Sequence, residues 1–187
     1  LGSNQLTELP PEIGNLTSLK ELNLTDNQLR ELPPEIGNLT SLASLVLGHN
    51  QVLEVLAGTS DLDSLLTRPK LGNLLTKLPP EIGNLAALEE LDLVSNRLTE
   101  LPPEIGNLTG LSGLYIGYNR LTVLPPEIGN LAGLNWLDLS GNQLTALPPE
   151  IGTLTELDSL FLNDNLLTTL PTAIGRLVEL TYLGISN

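Results

Sequence analysis

The chain has 187 residues, about the length of one domain, and its 22 acidic and 8 basic residues give a formal net charge of −14. This charge repels nucleic-acid backbones and anionic membrane surfaces, so neither is an expected partner. Cysteine is absent and the single histidine is His49, which excludes a disulfide framework, a thiolate or histidine-cluster metal site and a cysteine nucleophile. We therefore predict no metal and no cofactor.

The sequence repeats with a period of 23 residues. An asparagine marks each unit, at Asn4, Asn27, Asn50, Asn73, Asn96, Asn119, Asn142 and Asn165. The working pattern is N-x-L-x-x-L-P-P-E-I-G-N-L-x-x-L-x-x-L-x-L-x-x. We interpret residues 1–187 as one domain of about eight such units. Because one unit cannot bury its own apolar side chains, stability is expected to come from the stacking of neighbouring units.

Each segment of the unit predicts a local structure. The asparagine is expected to turn the chain inward and to bond to backbone groups of adjacent turns, so that eight stacked copies form a ladder. The Pro-Pro pair forbids a continued strand and suits an extended segment or the first turn of a short helix. The L-x-L segment, as in Leu91-Asp92-Leu93, alternates with period two and predicts a short strand with one buried face.

This pattern resembles the leucine-rich repeat family over essentially the whole chain. The most similar class has the 23-residue repeat L-x-x-L-x-L-x-x-N-x-L-x-x-L-P-x-x-I of Ras-suppressor-like, plant intracellular Ras-group and bacterial Roco-type proteins. The resemblance implies an α/β solenoid, a horseshoe with a parallel β-sheet on its concave face and short 3-10 or irregular segments on its convex face. It also implies that the concave face, or its rims, binds other proteins.

The ends of the sequence suggest a piece of a longer protein. The first unit begins in its middle, and neither end has the polar character of a capping repeat. We therefore expect an uncapped fragment of a longer protein, whose apolar ends allow end-to-end self-association.

One unit, residues 50–72, departs from the pattern. Arg68 and Lys70 stand where its strand should bury leucine, and Pro69 lies between them. Burying two unpaired cations is costly and proline removes a ladder hydrogen bond, so the local register must shift, bulge or loop out. A protruding loop that binds a ligand through Arg68 and Lys70 and a decayed unit without a function are both compatible with this sequence.

Aromatic residues follow the predicted concave face. Counted from its asparagine, each unit presents positions 18, 20 and 22 there, flanked by 17 and 23, and no aromatic residue stands at a core position. Glycine and serine leave room around the rings and acidic residues border them, as expected for an interface hot spot. The alternative is that the rings only add cross-strand contact. The predicted partner-binding residues are Glu90, Asp92, Tyr115, Tyr118, Trp136, Asp138, Phe161 and Tyr182.

The predicted function is a protein–protein interaction module whose partner presents lysine or arginine around an apolar group. Without a nucleophile, a proton relay or a phosphate loop, the sequence does not predict an enzyme. Two alternatives stay open, namely glycan recognition and a structural spacer in a multidomain protein such as a Roco-like GTPase. The N-terminus lacks a signal-peptide pattern, and the four Asn-Leu-Thr sequons arise from the repeat itself. The compartment therefore stays open, with the cytoplasm slightly favoured.

Overall fold

Residues 1–48 and 73–186 are described by the computed structural model. Seven short parallel strands form one sheet in chain order. They are Glu21–Asn23, Ser44–Val46, Glu90–Asp92, Gly113–Tyr115, Trp136–Asp138, Ser159–Phe161 and Tyr182–Gly184, numbered β1 to β7. The middle residue of each strand is a leucine, and in β1 to β6 it is buried. The first and third residues therefore project from the other side of the sheet, which we call the open face.

Short 3-10 helices alternate with the strands. Their bounds are Pro11–Asn15, Pro34–Asn38, Pro80–Asn84, Pro103–Asn107, Pro126–Asn130, Pro149–Thr153 and Thr172–Arg176. In the fourth, Pro102 is extended, with φ −67° and ψ 144°, and Pro103 occupies the first turn, where its missing N–H costs no hydrogen bond. No α-helix occurs in the described residues, which confirms the prediction of short 3-10 segments. None of the helices described is long and apolar enough to span a membrane.

Leucine and isoleucine side chains fill the space between the sheet and the 3-10 helices. They form one continuous cluster, and most of its members have no exposed surface. The contacts that build this core run between neighbouring units, since each strand packs beside the next strand and each 3-10 helix beside the next 3-10 helix. The described chain is therefore a stack of units in one direction, as the solenoid prediction requires.

A ladder of asparagine side chains runs through the stack. Its buried members are Asn27, Asn73, Asn96, Asn119, Asn142 and Asn165. The Nδ2 of Asn119 donates to the carbonyl oxygens of Leu93 and Ile116 at 2.9 and 3.0 Å. Its Oδ1 accepts a hydrogen bond from the backbone N–H of Leu98 at 3.0 Å. The Asn119 side chain thus connects backbone groups of two successive units, residues 73–95 and 96–118, and the other five make equivalent bonds. This confirms the predicted ladder for these six residues.

The sequence interval between paired strands changes at β2 and β3. Glu21 of β1 pairs with Ser44, 23 residues later, but Ser44 pairs with Glu90, 46 residues later. Asn73 likewise stands next to Asn27 in the ladder, where it accepts from the N–H of Leu29 at 3.0 Å. The two strands are hydrogen-bonded neighbours although one whole unit, residues 50–72, lies between them in the sequence.

This order differs from the uniform 23-residue stacking, which places Asn50 between Asn27 and Asn73. A strand of unit 50–72 inserted between β2 and β3 would put Arg68 and Lys70 at buried leucine positions, and desolvating these cations would be costly. Unit 50–72 itself lies outside the described residues, as do Asn50, Arg68 and Lys70. The proposed loop site therefore stays a prediction.

Candidate binding face

Four aromatic side chains cross the open face on successive strands. Tyr115 is the third residue of β4, Trp136 the first of β5, Phe161 the third of β6 and Tyr182 the first of β7. The strand register pairs Gly113 with Trp136 rather than Tyr115 with Trp136, so the rings alternate between two rows as they cross the sheet. The rings are therefore staggered across the four strands.

The four rings form a continuous chain of contacts. The ring centroids of Tyr115 and Trp136 are 6.3 Å apart, those of Trp136 and Phe161 are 4.8 Å apart, and those of Phe161 and Tyr182 are 4.6 Å apart. Their interplanar angles lie between 28° and 39°. Tyr115, Trp136 and Phe161 are half-buried, whereas Tyr182 is 48% exposed. We call these four residues the ring row. It offers accessible apolar surface across four strands.

Two glycines allow tyrosine rings to lie flat along their own strands. A Cβ atom added to Gly113 would lie 3.0 Å from both Cε2 and the hydroxyl oxygen of Tyr115. A Cβ added to Gly184 would lie 3.1 Å from Cε1 of Tyr182. The Tyr115 ring therefore lies over Gly113, which is the register neighbour of both Glu90 and Trp136.

Carboxylates flank the Tyr115 end of the ring row. Asp92 and Asp138 are the register neighbours of Tyr115 on β3 and β5. The Oδ1 of Asp138 accepts a hydrogen bond from the backbone N–H of Ser140 at 2.9 Å. Its Oδ2 would lie 2.9 Å from a Cβ added to Gly117, so this glycine makes room for a carboxylate. The sequence analysis had expected the glycines of this face to make room for the rings.

Burial separates the acidic residues into two kinds. Glu90 is exposed and Asp138 is half-buried, so both present a carboxylate to solvent. Asp92 has only 2% of its surface exposed, and its Oδ1 accepts from the N–H of Val94 at 2.9 Å. Asp92 therefore supplies negative charge to this region but no accessible contact surface, which corrects its predicted role as a direct contact.

The electrostatics around Tyr115 follow from this arrangement. Burial raises the pKa of its hydroxyl above the ordinary value of 10.0, and the charges of Glu90, Asp92 and Asp138 raise it further. Burial also raises the pKa of Asp138 above 3.8, although hydrogen bonds from the backbone and side chain of Ser140 act in the opposite direction. The surface at Tyr115 thus combines an aromatic ring with a negative potential.

Tyr118 lies apart from the ring row. It follows β4 with a φ of 56°, a left-handed conformation that bulky residues seldom adopt. A Cβ added to Gly141 would lie 2.6 Å from Cδ1 of Tyr118, so the ring packs over this glycine of the next unit. The sequence analysis missed this contact, although the signal was present: Gly141 occupies the repeat position of Tyr118 one unit later.

At the other end of the ring row, the exposed Asp158 is held by hydroxyl groups. Its carboxylate accepts hydrogen bonds from Oγ1 of Thr181 at 2.7 Å and from Oγ of Ser159 at 2.9 Å. These bonds lower its pKa. Within the described ranges, no group of three or more histidine, aspartate or glutamate side chains is placed to hold a metal ion.

Comparison with known proteins identifies the family to which this repeat belongs. A family model described as leucine rich repeat matches residues 1–52, 86–144 and 132–187. The chain belongs to the leucine-rich repeat family. Assignment to the Ras-suppressor-like or Roco-type class within that family stays a prediction. A search of curated proteins finds no significant match.

Solved structures of leucine-rich repeat proteins share the fold. A Leptospira interrogans leucine-rich repeat protein is 38% identical with a TM-score of 0.84, and the match covers 99% of this chain and 41% of that one. The ectodomain of the Arabidopsis thaliana receptor kinase GASSHO1/SCHENGEN3, solved with CASPARIAN STRIP INTEGRITY FACTOR 2, is 36% identical with a TM-score of 0.75. That match covers 96% of this chain and 20% of the ectodomain.

A third similar structure is the plant peptide hormone receptor RGFR1 in complex with RGF2. It is 33% identical with a TM-score of 0.70, and the match covers 100% of this chain and 32% of the receptor. This leucine-rich repeat chain therefore spans less than half the length of each of these three proteins. Two of the three were solved with a bound partner, consistent with a protein-binding repeat module.

Proposed function

We propose that this leucine-rich repeat domain binds a protein partner through its open face, without catalysing a reaction. The observation that carries the proposal is the ring row, four aromatic side chains joined by three ring contacts across β4 to β7, which remains partly open to solvent. Aromatic side chains dominate the binding energy of protein interfaces because they bury a large area at a small entropic cost. The family resemblance assigns this face to the concave side of the solenoid.

The charges around the ring row define the chemistry of the partner. Glu90 and Asp138 present carboxylates beside Tyr115, and no lysine or arginine occupies the strand positions of β3 to β7. A partner that carries lysine or arginine next to apolar side chains matches this surface. The charge complementarity would act mainly on the association rate and on the choice of partner, and salt would weaken it.

A capture experiment with matched baits tests the proposal. The first bait is the unmodified domain and the second carries Trp136→Ala and Phe161→Ala. The control bait carries Val123→Ala and Leu166→Ala, which remove apolar groups that are both 59% exposed and lie outside the strands. Circular dichroism and thermal melting establish that all three are folded.

We expect a protein that the unmodified and control baits retain and the ring-row variant loses. Equal retention by all three baits would contradict the open face as the binding site, and no retained protein would favour a spacer role. A glycan array tests the remaining alternative, since a protein-binding domain should leave it silent.

A further inference from the structure

The open face has two chemically different ends. At the end formed by β3 to β5, Glu90 and Asp138 stand beside Tyr115, and the buried Asp92 adds negative charge. At the β6 and β7 end, the strand positions of the open face carry Ser159, Phe161, Tyr182 and Gly184, none of which is charged. Asp158, which precedes β6, already accepts hydrogen bonds from two hydroxyl groups. A ligand that fits both ends therefore needs two different side chains.

The Tyr115 end suits a cation. An aromatic ring attracts a lysine or arginine side chain to its face, and neighbouring carboxylates add Coulomb attraction. The Tyr115 ring lies over Gly113, between Glu90 on one side and Trp136 on the other. The raised pKa of the Tyr115 hydroxyl, caused in part by three carboxylates, reflects the same negative potential.

The Tyr182 end suits an apolar side chain. The Phe161 and Tyr182 rings are in contact, with centroids 4.6 Å apart, and Tyr182 is 48% exposed. An aromatic or aliphatic side chain placed there removes apolar surface from water without desolvating a charge.

The distance between the two ends sets the spacing of the ligand. Tyr115 and Tyr182 lie on β4 and β7, three strand spacings apart, and a spacing of about 4.8 Å makes this roughly 14 Å. An extended peptide crossing the strands advances about 3.3 Å per residue, so four residues cover the distance. Side chains four residues apart also point to the same side of an extended chain, whereas those three or five apart point to opposite sides.

We propose that the open face recognises an extended segment of its partner in which a lysine or arginine and an apolar side chain stand four positions apart, at positions i and i+4 in either order. The cation lies on the Tyr115 ring beside Glu90, in a negative potential to which Asp138 also contributes, and the apolar side chain lies on Phe161 and Tyr182. This inference rests on the proposed function and names its ligand class.

The single tryptophan of the protein makes the proposal directly measurable. Trp136 stands in the middle of the ring row, so its fluorescence reports occupancy of the face without a label. The probes are terminally blocked Gly/Ser peptides without tryptophan that carry one arginine and one phenylalanine, spaced two, three, four, five or eight residues apart. Each spacing is made in both orders, and the tighter binder of the two is scored.

We expect the four-residue spacing to bind about tenfold more tightly than spacings of two, three, five or eight. Replacement of the arginine by glutamine should remove this preference, and added salt should weaken binding of the arginine peptide. Equal affinity at all spacings, or no loss with glutamine, would overturn the inference.

Variants of the domain test the cation position independently. Glu90→Gln and Asp138→Asn should each weaken the arginine peptide at least threefold and leave the glutamine peptide unchanged. Glu104→Gln removes one charge from a 3-10 helix outside the sheet and should change neither affinity. If Glu90→Gln and Asp138→Asn have no more effect than Glu104→Gln, the cation does not lie on Tyr115.

The two proposals fail in different ways. If the Trp136→Ala and Phe161→Ala bait loses a partner but the peptides show no spacing preference, the binding face is supported and the ligand pattern is refuted. Peptide binding that survives the same two substitutions would refute both, and it is measured by isothermal titration calorimetry because this variant lacks the only tryptophan of the protein.

Discussion

The ring of Trp136 stacks on the ring of Phe161, with centroids 4.8 Å apart and planes inclined by 28°. The two residues come from β5 and β6 and occupy different rows of the open face, Trp136 the first position of its strand and Phe161 the third. The contact exists because neighbouring strands of a parallel sheet lie about 4.8 Å apart, which brings side chains on diagonal positions within reach of each other.

This stacking predicts an energetic coupling between the two residues. Trp136→Leu and Phe161→Leu should together cost less stability than the sum of the single changes, with a coupling of about 0.5–1.5 kcal/mol. The free energy of unfolding of the four proteins of the cycle, measured by urea denaturation, gives the coupling. Additive effects would show that the rings merely lie near each other.

A close approach between units leaves no room for a side chain at Gly106. A Cβ added to Gly106 would lie 2.5 Å from the carbonyl oxygen of Glu127 in the next unit. Gly106→Ala should therefore lower the free energy of unfolding by about 1–3 kcal/mol, the usual cost of overpacking. Gly175 is the matched control, because a Cβ added there meets nothing within 4 Å. Gly175→Ala should be neutral or slightly stabilising, and an equal loss in both variants would contradict the packing argument.

The asparagine ladder predicts that substitutions of a buried and of an exposed asparagine differ in their cost to stability. Asn119→Ala leaves the N–H of Leu98 and the carbonyl oxygen of Leu93 without their side-chain partner in a buried region. Each such group costs about 1–3 kcal/mol, so the variant should lose roughly 3 kcal/mol of stability. Asn4 is exposed and donates to the carbonyl oxygens of Leu1 and Gly2, and Asn4→Ala should change stability by less than about 0.5 kcal/mol. Denaturant titration of both variants gives their free energies of unfolding and tests this difference.

The raised pKa of Asp138 predicts a dependence of stability on pH. Between its ordinary value of 3.8 and the raised value, the folded protein binds more protons at this site than the unfolded chain does. The contribution of Asp138 to the free energy of unfolding must therefore fall as pH rises through this window. Asp138→Asn keeps an oxygen acceptor for Ser140 but does not titrate.

The measurement is urea denaturation of both proteins between pH 4 and pH 7. The stability of the unmodified domain relative to Asp138→Asn should decrease toward pH 7. Parallel pH profiles for the unmodified domain and Asp138→Asn would mean that Asp138 titrates at its ordinary value.

The last strand presents apolar surface that predicts self-association. Leu183 of β7 is 40% exposed and Ile185 is 50% exposed, whereas the equivalent Leu160 of β6 is fully buried. We expect concentration-dependent dimerisation in sedimentation velocity experiments, reduced by the double change Leu183→Ser and Ile185→Ser. A monomer at all concentrations would contradict the prediction of end-to-end contact.

Much of the fold follows from the local sequence. Alternation in a segment such as Leu91-Asp92-Leu93 is enough to predict a strand with its leucines buried, because strand side chains alternate between two faces. The Pro-Pro pair similarly predicts where the extended segment after each strand ends and a 3-10 helix begins. The same period places Tyr115, Trp136 and Phe161 on the open face, since a repeat position keeps its orientation from one unit to the next.

The tertiary structure decides what the repeat period leaves open. The pairing of Ser44 with Glu90 depends on which unit stacks on which, and contacts between residues 46 positions apart determine it. Neighbouring units likewise determine three details. They bury Asp92, they place the carboxylate of Asp138 beside Gly117, and they place the Tyr118 ring over Gly141. A sequence period fixes the direction in which each side chain points, but burial, pKa and contact distance arise only when the units are packed together.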